Sequence, residues 1–432
     1  MIKRRLSAGH SEFIGNVAVM MSGKTVAALI ALFTTPIVAR LFSPSDFGVA
    51  AFFTSVVLIV SNGATLRYEA ALSLPKEDVE AIAIMALAYR ILIAVCIALL
   101  LLITAYELTG LQWAGLDLLG HWKWLLPLAV MLMSALHVQE SWLTRTKSFT
   151  VASASLVVGN ATTGLTRIGL GYFQGSSIYG LIVTYLVGLA SRLIVQRSAS
   201  SMGARALFSR IDWPTVRAVA RRYADFPKFN APAGVVYAIG GNLPVLLFGV
   251  IFSPAVAGFY AMANRLSHMP LTIVANSMRR VFLQKAAAIR NRGGSLRKAF
   301  LLLTGGLVLL GIVPFAVLWL FGEPLLTLLL GARWTVAGQY LEIMAPWLFS
   351  VWVAAPCNAV FIVLREQRFF LLRQTILTVL RAIAFAIAYL ATGKPEWTLH
   401  GFVIVTVLTN VVTILHALRM ISRHDARPRD IQ

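Results

Sequence analysis

The sequence predicts an all-α integral membrane protein, with about twelve transmembrane helices in two six-helix bundles. Three observations predict this fold class. The 432 residues are 58% hydrophobic and 13% charged, with a mean hydropathy of +0.78, whereas soluble proteins have about 45–50% apolar and about 25% charged residues. Apolar segments long enough to cross a bilayer recur along the whole chain, and one short phrase occurs twice, half a chain apart.

Twelve segments supply the roughly 20 mostly apolar residues that a spanning helix needs. They are 14–39, 47–66, 81–104, 122–144, 151–172, 178–196, 229–251, 255–278, 300–321, 336–363, 369–391 and 398–418. These segments divide the chain into four parts: an N-terminal bundle (1–196), a cytoplasmic basic linker (197–228), a C-terminal bundle (229–418) and a cytoplasmic tail (419–432). The N-terminus has the charge order of a signal peptide, but the length of its apolar run predicts an uncleaved first helix.

Basic residues lie mostly on one side of this predicted topology. The loops and termini on the N-terminal side carry 29 lysines and arginines, and those on the opposite side carry four. Because basic residues collect in cytoplasmic loops, both termini are expected in the cytoplasm. The same bias explains the net charge of +21 without a nucleic-acid partner. The stretch 197–222 is expected to lie as an amphipathic helix on the anionic leaflet, so membrane lipids are expected partners.

The repeated phrase is LFSPSDFGVAA at 41–51 and IFSPAVAGFYA at 251–261, identical at five of eleven positions. Each copy falls in the short outer turn between the first and second helices of a six-helix half. Proline ends a helix and glycine permits a tight entry into the next, so turn chemistry alone could produce such a phrase. The equal place in both halves favours a duplication. Six helices per half keep the same orientation, so the halves are expected to be related by a twofold pseudo-axis along the membrane normal.

Ionisable and amide side chains within the spans are candidates for a polar cavity, because a charge at bilayer depth costs at least about 2.5–3.5 kcal/mol. Lys24 in the first segment and Arg265 in the eighth have no acidic residue three or four positions away. Other polar residues recur at helical spacing, which places them on one stripe of their helix. The predicted cationic cavity is lined by Lys24, Arg265, Arg67, Asn62, Asn230, His268, Asn276 and Arg381.

Two alternatives to a cavity lining stay open for such residues. Small and polar stripes, such as Ser153, Asn160, Gly164, Arg167 and Gly171 in the fifth segment, also serve as helix–helix contacts in membrane proteins. Arg67 lies near a cytoplasmic end, where a long side chain can extend to the interface. The deep charges are predominantly positive, and a cationic lumen suits an anionic cargo such as a phosphate or diphosphate.

The few carboxylates near the spans limit where a coupling ion could bind. Glu69 and Asp225 are the candidates, since carboxylates bind both protons and sodium ions. Both lie towards the cytoplasmic ends of their segments, where a salt bridge to Arg67 or Lys228 is the alternative. No ATP-binding motif occurs in the sequence.

Neither a metal nor a cofactor is expected. Cys96 and Cys357 stand alone within apolar segments, without CxxC spacing or a histidine partner. A membrane enzyme such as a polysaccharide polymerase or ligase would need catalytic groups on a large outer loop. The longest outer loop, about 105–121, holds only Glu107, Asp117 and His121, and the HExxH and GxSxG motifs are absent. A transporter is expected rather than an enzyme.

Three stretches resemble the bacterial oligosaccharide flippases, also called polysaccharide biosynthesis proteins, of the MOP superfamily. They are EFIGNVAVMMSGKTVAALIALFTTPIVARLFSPSDFGVAAFFTS from Glu12, NLPVLLFGVIFSPAVAGFYAMANRLSHMPLTIVANSMRRVFLQKAAAIRNRG from Asn242, and APWLFSVWVAAPCNAVFIVLREQ from Ala345. The shared features are patterns of proline, glycine and aromatic residues, without a catalytic signature.

The resemblance implies two six-helix bundles around a central cavity and alternating access. The implied cargo is an undecaprenyl-diphosphate-linked oligosaccharide, carried from the inner to the outer leaflet of the bacterial inner membrane for cell-surface polysaccharides such as O-antigen. Basic residues line the cavity in that family, and Lys24 and Arg265 lie on corresponding helices. Association with the polysaccharide polymerase machinery is a further expectation. The alternative is a MATE-like, ion-coupled exporter of small molecules, which the positive lumen disfavours.

Overall fold

A computed structural model describes residues 2–198, 212–267, 295–363 and 367–425. For residues 2–21, 358–359, 362–363, 367–371 and 424 it describes the backbone only. These ranges are helical almost throughout and contain no β-strand. Their helices are α1 (Ile2–Leu41), α2 (Pro44–Ser61), α3 (Asp78–Thr109), α4 (Ala114–Leu119), α5 (Leu126–Arg145), α6 (Phe149–Gln174), α7 (Ile178–Ser198), α8 (Trp213–Arg222), α9 (Ala231–Ile251), α10 (254–267), α11 (Leu296–Leu330), α12 (Thr335–Val363), α13 (Gln367–Thr392) and α14 (Pro395–Asp425).

Within the described ranges, ten stretches of helix are long and apolar enough to cross a membrane. They coincide with ten of the twelve predicted segments, and the predicted all-α integral membrane protein is confirmed. The fifth segment, 151–172, is helix α6, whose many glycine, serine, threonine and asparagine residues lower its mean hydropathy. The eighth, 255–278, begins as α10, and its remainder lies outside the described residues.

Several helices extend beyond the apolar segments that predict them. Helix α11 covers Leu296–Leu330, where the apolar pattern predicts 300–321. The backbone leaves helical geometry at Phe321, and the 25 residues before that break correspond to about 38 Å at 1.5 Å per residue, against about 30 Å of hydrocarbon. The ends of such a helix extend into the headgroup region, where polar residues are tolerated. Counting apolar residues therefore locates the spans and underestimates the helices.

The chain forms two compact units, Met1–Gly258 and Phe259–Gln432. Helices α1–α9 and the first residues of α10 belong to the first unit, and the rest of α10 with α11–α14 belongs to the second. Helix α9 groups with the first unit because it packs on α2 and α4. The boundaries predicted from the sequence, 1–196 and 229–418, separate two duplicated halves, whereas the two units are separated by how the helices pack. The duplicated halves stay a prediction.

Helix α6 packs along α1 through its stripe of small and polar residues. The Asn160 side chain donates a 3.0 Å hydrogen bond to the Ala27 carbonyl. A Cβ at Gly164 would lie 2.9 Å from the Thr34 side chain, so these helices approach closely at that level. Close approach at small residues and interhelical hydrogen bonds are how helices associate in a bilayer. This stripe is a packing face.

Helix α8 lies against the protein through its apolar face. Val216 and Val219 are buried in a cluster with residues of α3 and of the 3-10 turn Tyr68–Ser73. The Tyr68 hydroxyl donates a 3.0 Å hydrogen bond to the Ala220 carbonyl, and burial raises the pKa of that phenol. The amphipathic helix predicted in 197–222 is therefore present over its described part, but its apolar side meets α3, not lipid. Residues 199–211 lie outside the described ranges.

A glutamate from α12 stabilises the break in α11. The backbone leaves helical geometry at Phe321, with φ −130° and ψ 18°, and Pro324 follows. The Glu342 carboxylate accepts a 2.8 Å hydrogen bond from the Glu323 backbone N–H. A carboxylate at that place satisfies a free N–H and interacts favourably with the helix dipole. Glu342 thus caps the second part of α11.

The two copies of the repeated phrase perform the same local task. Ser43 caps α2, and its hydroxyl accepts a 3.2 Å hydrogen bond from the Asp46 N–H. Ser253 precedes α10 in the same way, accepting a 3.3 Å hydrogen bond from the Val256 N–H. In each copy proline follows the capping serine, at the first helical position, where its missing N–H costs nothing.

The two turns lie against each other in a reciprocal contact. A Cβ added at Gly48 would lie 1.6 Å from the Pro254 carbonyl oxygen, and one added at Gly258 would lie 1.9 Å from the Pro44 carbonyl oxygen. Both contacts fall within the first compact unit. The glycine that recurs in the phrase is required because the other copy's backbone occupies the space of a side chain.

Gly48→Ala is expected to destabilise the protein by about 3 kcal/mol or more, because a backbone carbonyl cannot give way as a flexible side chain can. Gly305→Ala is the matched control, since a Cβ at Gly305 in α11 meets no atom within 4 Å. The measurement is thermal unfolding of both purified variants in detergent. Equal unfolding temperatures for the two variants would show that the contact does not constrain the turn.

Candidate functional site

Lys24 lies on a distinct face of α1. One stripe of this helix is apolar and exposed, formed by Val26, Leu29, Phe33 and Ile37, as expected for a lipid-facing surface. A second stripe, including Ala27 and Thr34, packs against α6. At 100° per residue, Lys24 is roughly opposite the apolar stripe. Its side chain is exposed and makes no ion pair or hydrogen bond with another described residue.

Arg265 lies in the described part of α10, which has no fully exposed residue. Every residue from 254 to 267 is buried or half-buried, and Arg265 itself is half-buried. It forms no ion pair with a carboxylate of the described residues. A cation in such a place requires water, a polar lining or an anionic ligand to balance its charge.

The two cations lie at different depths along their helices. Arg265 is eleven residues beyond Pro254, about 17 Å along α10, and Lys24 is seventeen residues before Leu41, about 26 Å along α1. If each outer turn is at the membrane surface, the hydrocarbon core of about 30 Å puts Arg265 near the midplane. Lys24 is then nearer the opposite side.

Arg381 is held by aromatic rings inside the second unit. Its guanidinium carbon is 4.7 Å from the centroid of the Phe402 ring and 5.9 Å from that of Trp347. Its Nε donates a 2.9 Å hydrogen bond to the Thr406 hydroxyl. The side chain is 8% exposed. A cation–π environment of this kind stabilises a buried guanidinium, and a role for Arg381 in binding a cargo stays a prediction.

Arg67, Asn62 and Glu69 come together where α2 ends. Leu66 and Arg67 have positive φ angles of 50° and 61°, which turn the chain into the 3-10 helix that follows. Arg67 pairs with the buried Glu69 carboxylate at 3.5 Å, and that carboxylate also accepts a 2.5 Å hydrogen bond from Thr65. The Asn62 amide donates to the Leu58 carbonyl. The salt bridge left open as the alternative for Glu69 is therefore present.

A second ionic group lies close to this junction and was not predicted. Arg192 of α7 and Glu140 of α5 form an ion pair at 2.5 Å. His137 interacts electrostatically with Glu69, Glu140, Arg67 and Arg192, so these side chains form one charged network. Glu140 and Arg192 are 52 residues apart. Helical spacing within one segment could not reveal this pair, because its members lie in two different segments. The only signal in the sequence is that each is a charged residue within an apolar span.

The remaining predicted residues divide between exposed and undescribed positions. Asn230 and Asp225 are exposed, and Asp225 makes no ion pair with Lys228 or another described residue. Tyr237 and Gly241, on the same predicted stripe of α9 as Asn230, are exposed as well. His268 and Asn276 lie outside the described residues. Among the described residues, no three His, Cys, Asp or Glu side chains are grouped as metal ligands.

Comparisons with known proteins agree with this architecture. The sequence model of the polysaccharide biosynthesis protein family matches residues 37–339. The chain is 25% identical to the succinoglycan biosynthesis transport protein ExoT of Rhizobium meliloti (strain 1021) over 346 residues, which cover 79% of this chain and 67% of the relative.

Two solved structures share the fold at low sequence identity. The lipid II flippase MurJ, in an inward closed conformation, is 14% identical with a TM-score of 0.74, covering 94% of this chain and 90% of its own. A MATE family multidrug resistance transporter of the MOP superfamily, facing inward, is 14% identical with a TM-score of 0.70, covering 95% and 98%. The predicted resemblance is confirmed, and the fold is shared by flippases and exporters.

Glu69→Gln is expected to lower the free energy of unfolding by about 1 kcal/mol, because it removes the buried carboxylate that pairs with the half-buried Arg67 guanidinium. The control is Glu80→Gln, whose partner Arg222 is 69% exposed, so that the pair is worth less than about 1 kcal/mol. Chemical unfolding in detergent compares the two. A loss of the same size in both variants would contradict a special role for the Glu69 junction in stability.

Proposed function

Since the chain belongs to the polysaccharide biosynthesis protein family, we propose that it carries a polyprenyl-diphosphate-linked oligosaccharide across the bacterial inner membrane. The cargo moves from the inner to the outer leaflet by alternating access, for the synthesis of a cell-surface polysaccharide. The observation that supports this cargo is the charge of Lys24 and Arg265, two cations within predicted spanning segments that no described carboxylate neutralises.

The headgroup of such a cargo needs cations along its path. A diphosphate carries about two or three negative charges, and an unpaired anion in a low-dielectric region is very costly. Arg265 on an interior helix and Lys24 on the face of α1 opposite its apolar stripe are suited to lower that cost. Guanidinium and ammonium groups bind phosphate oxygens through charge-assisted hydrogen bonds. The long polyprenyl chain remains in the lipid, so only the headgroup and sugars require a polar route.

The similar proteins support a lipid-linked cargo but do not identify the glycan. One relative is named for transport in succinoglycan biosynthesis, and one solved structure is a flippase of lipid II. The MATE transporters share the fold, so the fold alone does not separate the two functions. The sign of the deep charges favours a flippase, because a cationic drug would be repelled by Lys24 and Arg265. A cytoplasmic location of both termini and an association with polysaccharide polymerases are part of the same proposal.

Lys24→Ala and Arg265→Ala are expected to reduce transport at least tenfold, while Lys24→Arg and Arg265→Lys retain most of it, because the positive charge is the required property. The assay follows a fluorescent polyprenyl-diphosphate oligosaccharide across the membrane of proteoliposomes. Lys76→Ala is the control, since it removes an exposed lysine outside the spans. Full activity of both alanine variants would remove these residues from the cargo route, and efflux of cationic dyes without glycolipid transport would favour the exporter.

Coupling to an ion gradient is a separate prediction. If the buried Glu69 exchanges a proton or sodium ion, Glu69→Gln abolishes stimulation by an imposed gradient while transport down the cargo's own gradient continues. Asp225→Asn tests the second carboxylate, which is exposed and not paired with a described residue. The same proteoliposomes, with pH or sodium gradients imposed in turn, measure both variants. A wild-type response to both gradients in the two variants would exclude these carboxylates as coupling sites.

A further inference from the structure

A groove of about 440 Å³ lies between the start of α11 and the end of α14, inside the second unit. Three arginines and a serine converge on it, together with three leucines. The lining residues are Arg297, Leu301, Leu415, Leu418, Arg419, Ser422 and Arg423. None of the residues assigned above to the cargo route is among them.

The groove has a firm base, because the two helix ends are tied together. The Asp425 carboxylate accepts hydrogen bonds of 3.0 Å from the Ser295 hydroxyl and 3.1 Å from the Arg297 backbone N–H. Beneath them, Leu296 and Phe300 of α11 pack with Ala417 and Ile421 of α14 in a buried cluster. The arginines are therefore carried by helix positions that packing holds in place.

The charge of the groove is not balanced by the described part of the protein. Arg297, Arg419 and Arg423 form no ion pair with a described carboxylate, and the Asp425 carboxylate beside the groove offsets only one of their three charges. Arg419 and Arg423 are four residues apart on one face of α14, where like charges repel each other. Three arginines facing one space of this size are suited to a phosphate group, which can accept several guanidinium hydrogen bonds at once.

The apolar part of the groove points to a lipid. Leu301 is 46% exposed and Leu415 is 52% exposed. Both belong to the apolar stretches of α11 and α14 that are long enough to cross a membrane, and the arginines lie at the ends of those stretches. A phosphate bound by the arginines would thus have exposed leucines on its membrane side. Basic pockets between helices at the cytoplasmic side of a membrane bind the headgroups of anionic lipids.

We propose that this groove is a binding site for an anionic phospholipid of the inner leaflet. The phosphodiester is bound by Arg297, Arg419 and Arg423, and an acyl chain lies along Leu301 and Leu415. The bilayer supplies this ligand at high local concentration. The site is separate from cargo transport, so lipid binding tests it whether or not the proposed function holds.

The experiment titrates the full-length protein in detergent with phosphatidylglycerol and counts bound lipids by native mass spectrometry. Arg419→Gln/Arg423→Gln is expected to weaken phosphatidylglycerol binding at least tenfold, and Arg419→Lys/Arg423→Lys to keep most of it. The control is Arg40→Gln/Arg333→Gln, which removes two exposed arginines outside the groove and is expected to change binding less than twofold. All exchanged arginines are at least partly exposed, so thermal unfolding is expected to be unchanged and serves as the check.

Two further arms distinguish the source of the phosphate and the role of the leucines. Phosphatidylcholine with the same acyl chains is expected to bind at least tenfold more weakly, and glycerol phosphate at millimolar concentration not to displace the bound lipid. Leu301→Asn/Leu415→Asn is expected to weaken binding about fivefold. Equal losses in the α14 variant and in the Arg40/Arg333 variant would overturn the proposal in favour of general charge attraction. Displacement by glycerol phosphate would overturn it in favour of a soluble phosphate ligand.

Discussion

The close contact between the two outer turns is the constraint on which the start of two helices depends. Gly48 and Gly258 each leave room for a carbonyl of the other turn, and each turn begins its helix with a serine cap followed by proline. The three features must occur together. The cap and the proline place the helix start, and the glycine lets the other copy approach it. A duplication alone would preserve the phrase only while both copies still have this task, and the reciprocal contact gives them one.

The two units treat their buried charges differently. In the described part of the first, five arginines or lysines pair with carboxylates, and four of the five are buried or half-buried: Arg67, Lys123, Arg145 and Arg192. In the described part of the second, Arg381 is stabilised by aromatic rings and a threonine, and Arg265 has no carboxylate partner. A paired cation is neutral towards an approaching anion, whereas an unpaired one attracts it. The distribution of acids, as much as that of bases, therefore decides where an anionic cargo would be stabilised.

The fold could be predicted from composition and apolar length, because the bilayer imposes both, but the neighbours of each side chain could not. Helical spacing identified the stripe with Asn160 and Gly164 without showing whether it met a helix or a cavity, and it met α1. The Glu140–Arg192 pair and the arginine groove join residues more than 50 positions apart. Glu342 is an acid within an apolar stretch of the sequence, and only the broken helix at Phe321 explains it.

Since exporters and flippases share this fold, the difference between them must lie in side chains, and we propose that the side chains here favour anions at two levels. Arg265 offers a positive charge near the calculated midplane, where a phosphate is most expensive to solvate. The groove of Arg297, Arg419 and Arg423 offers three charges at the ends of spanning helices, where phosphates of the bilayer are already present. A single interior cation binds a phosphate weakly enough to release it when water enters, whereas three convergent arginines bind a phosphate more tightly. The first arrangement suits a cargo in transit and the second a resident lipid.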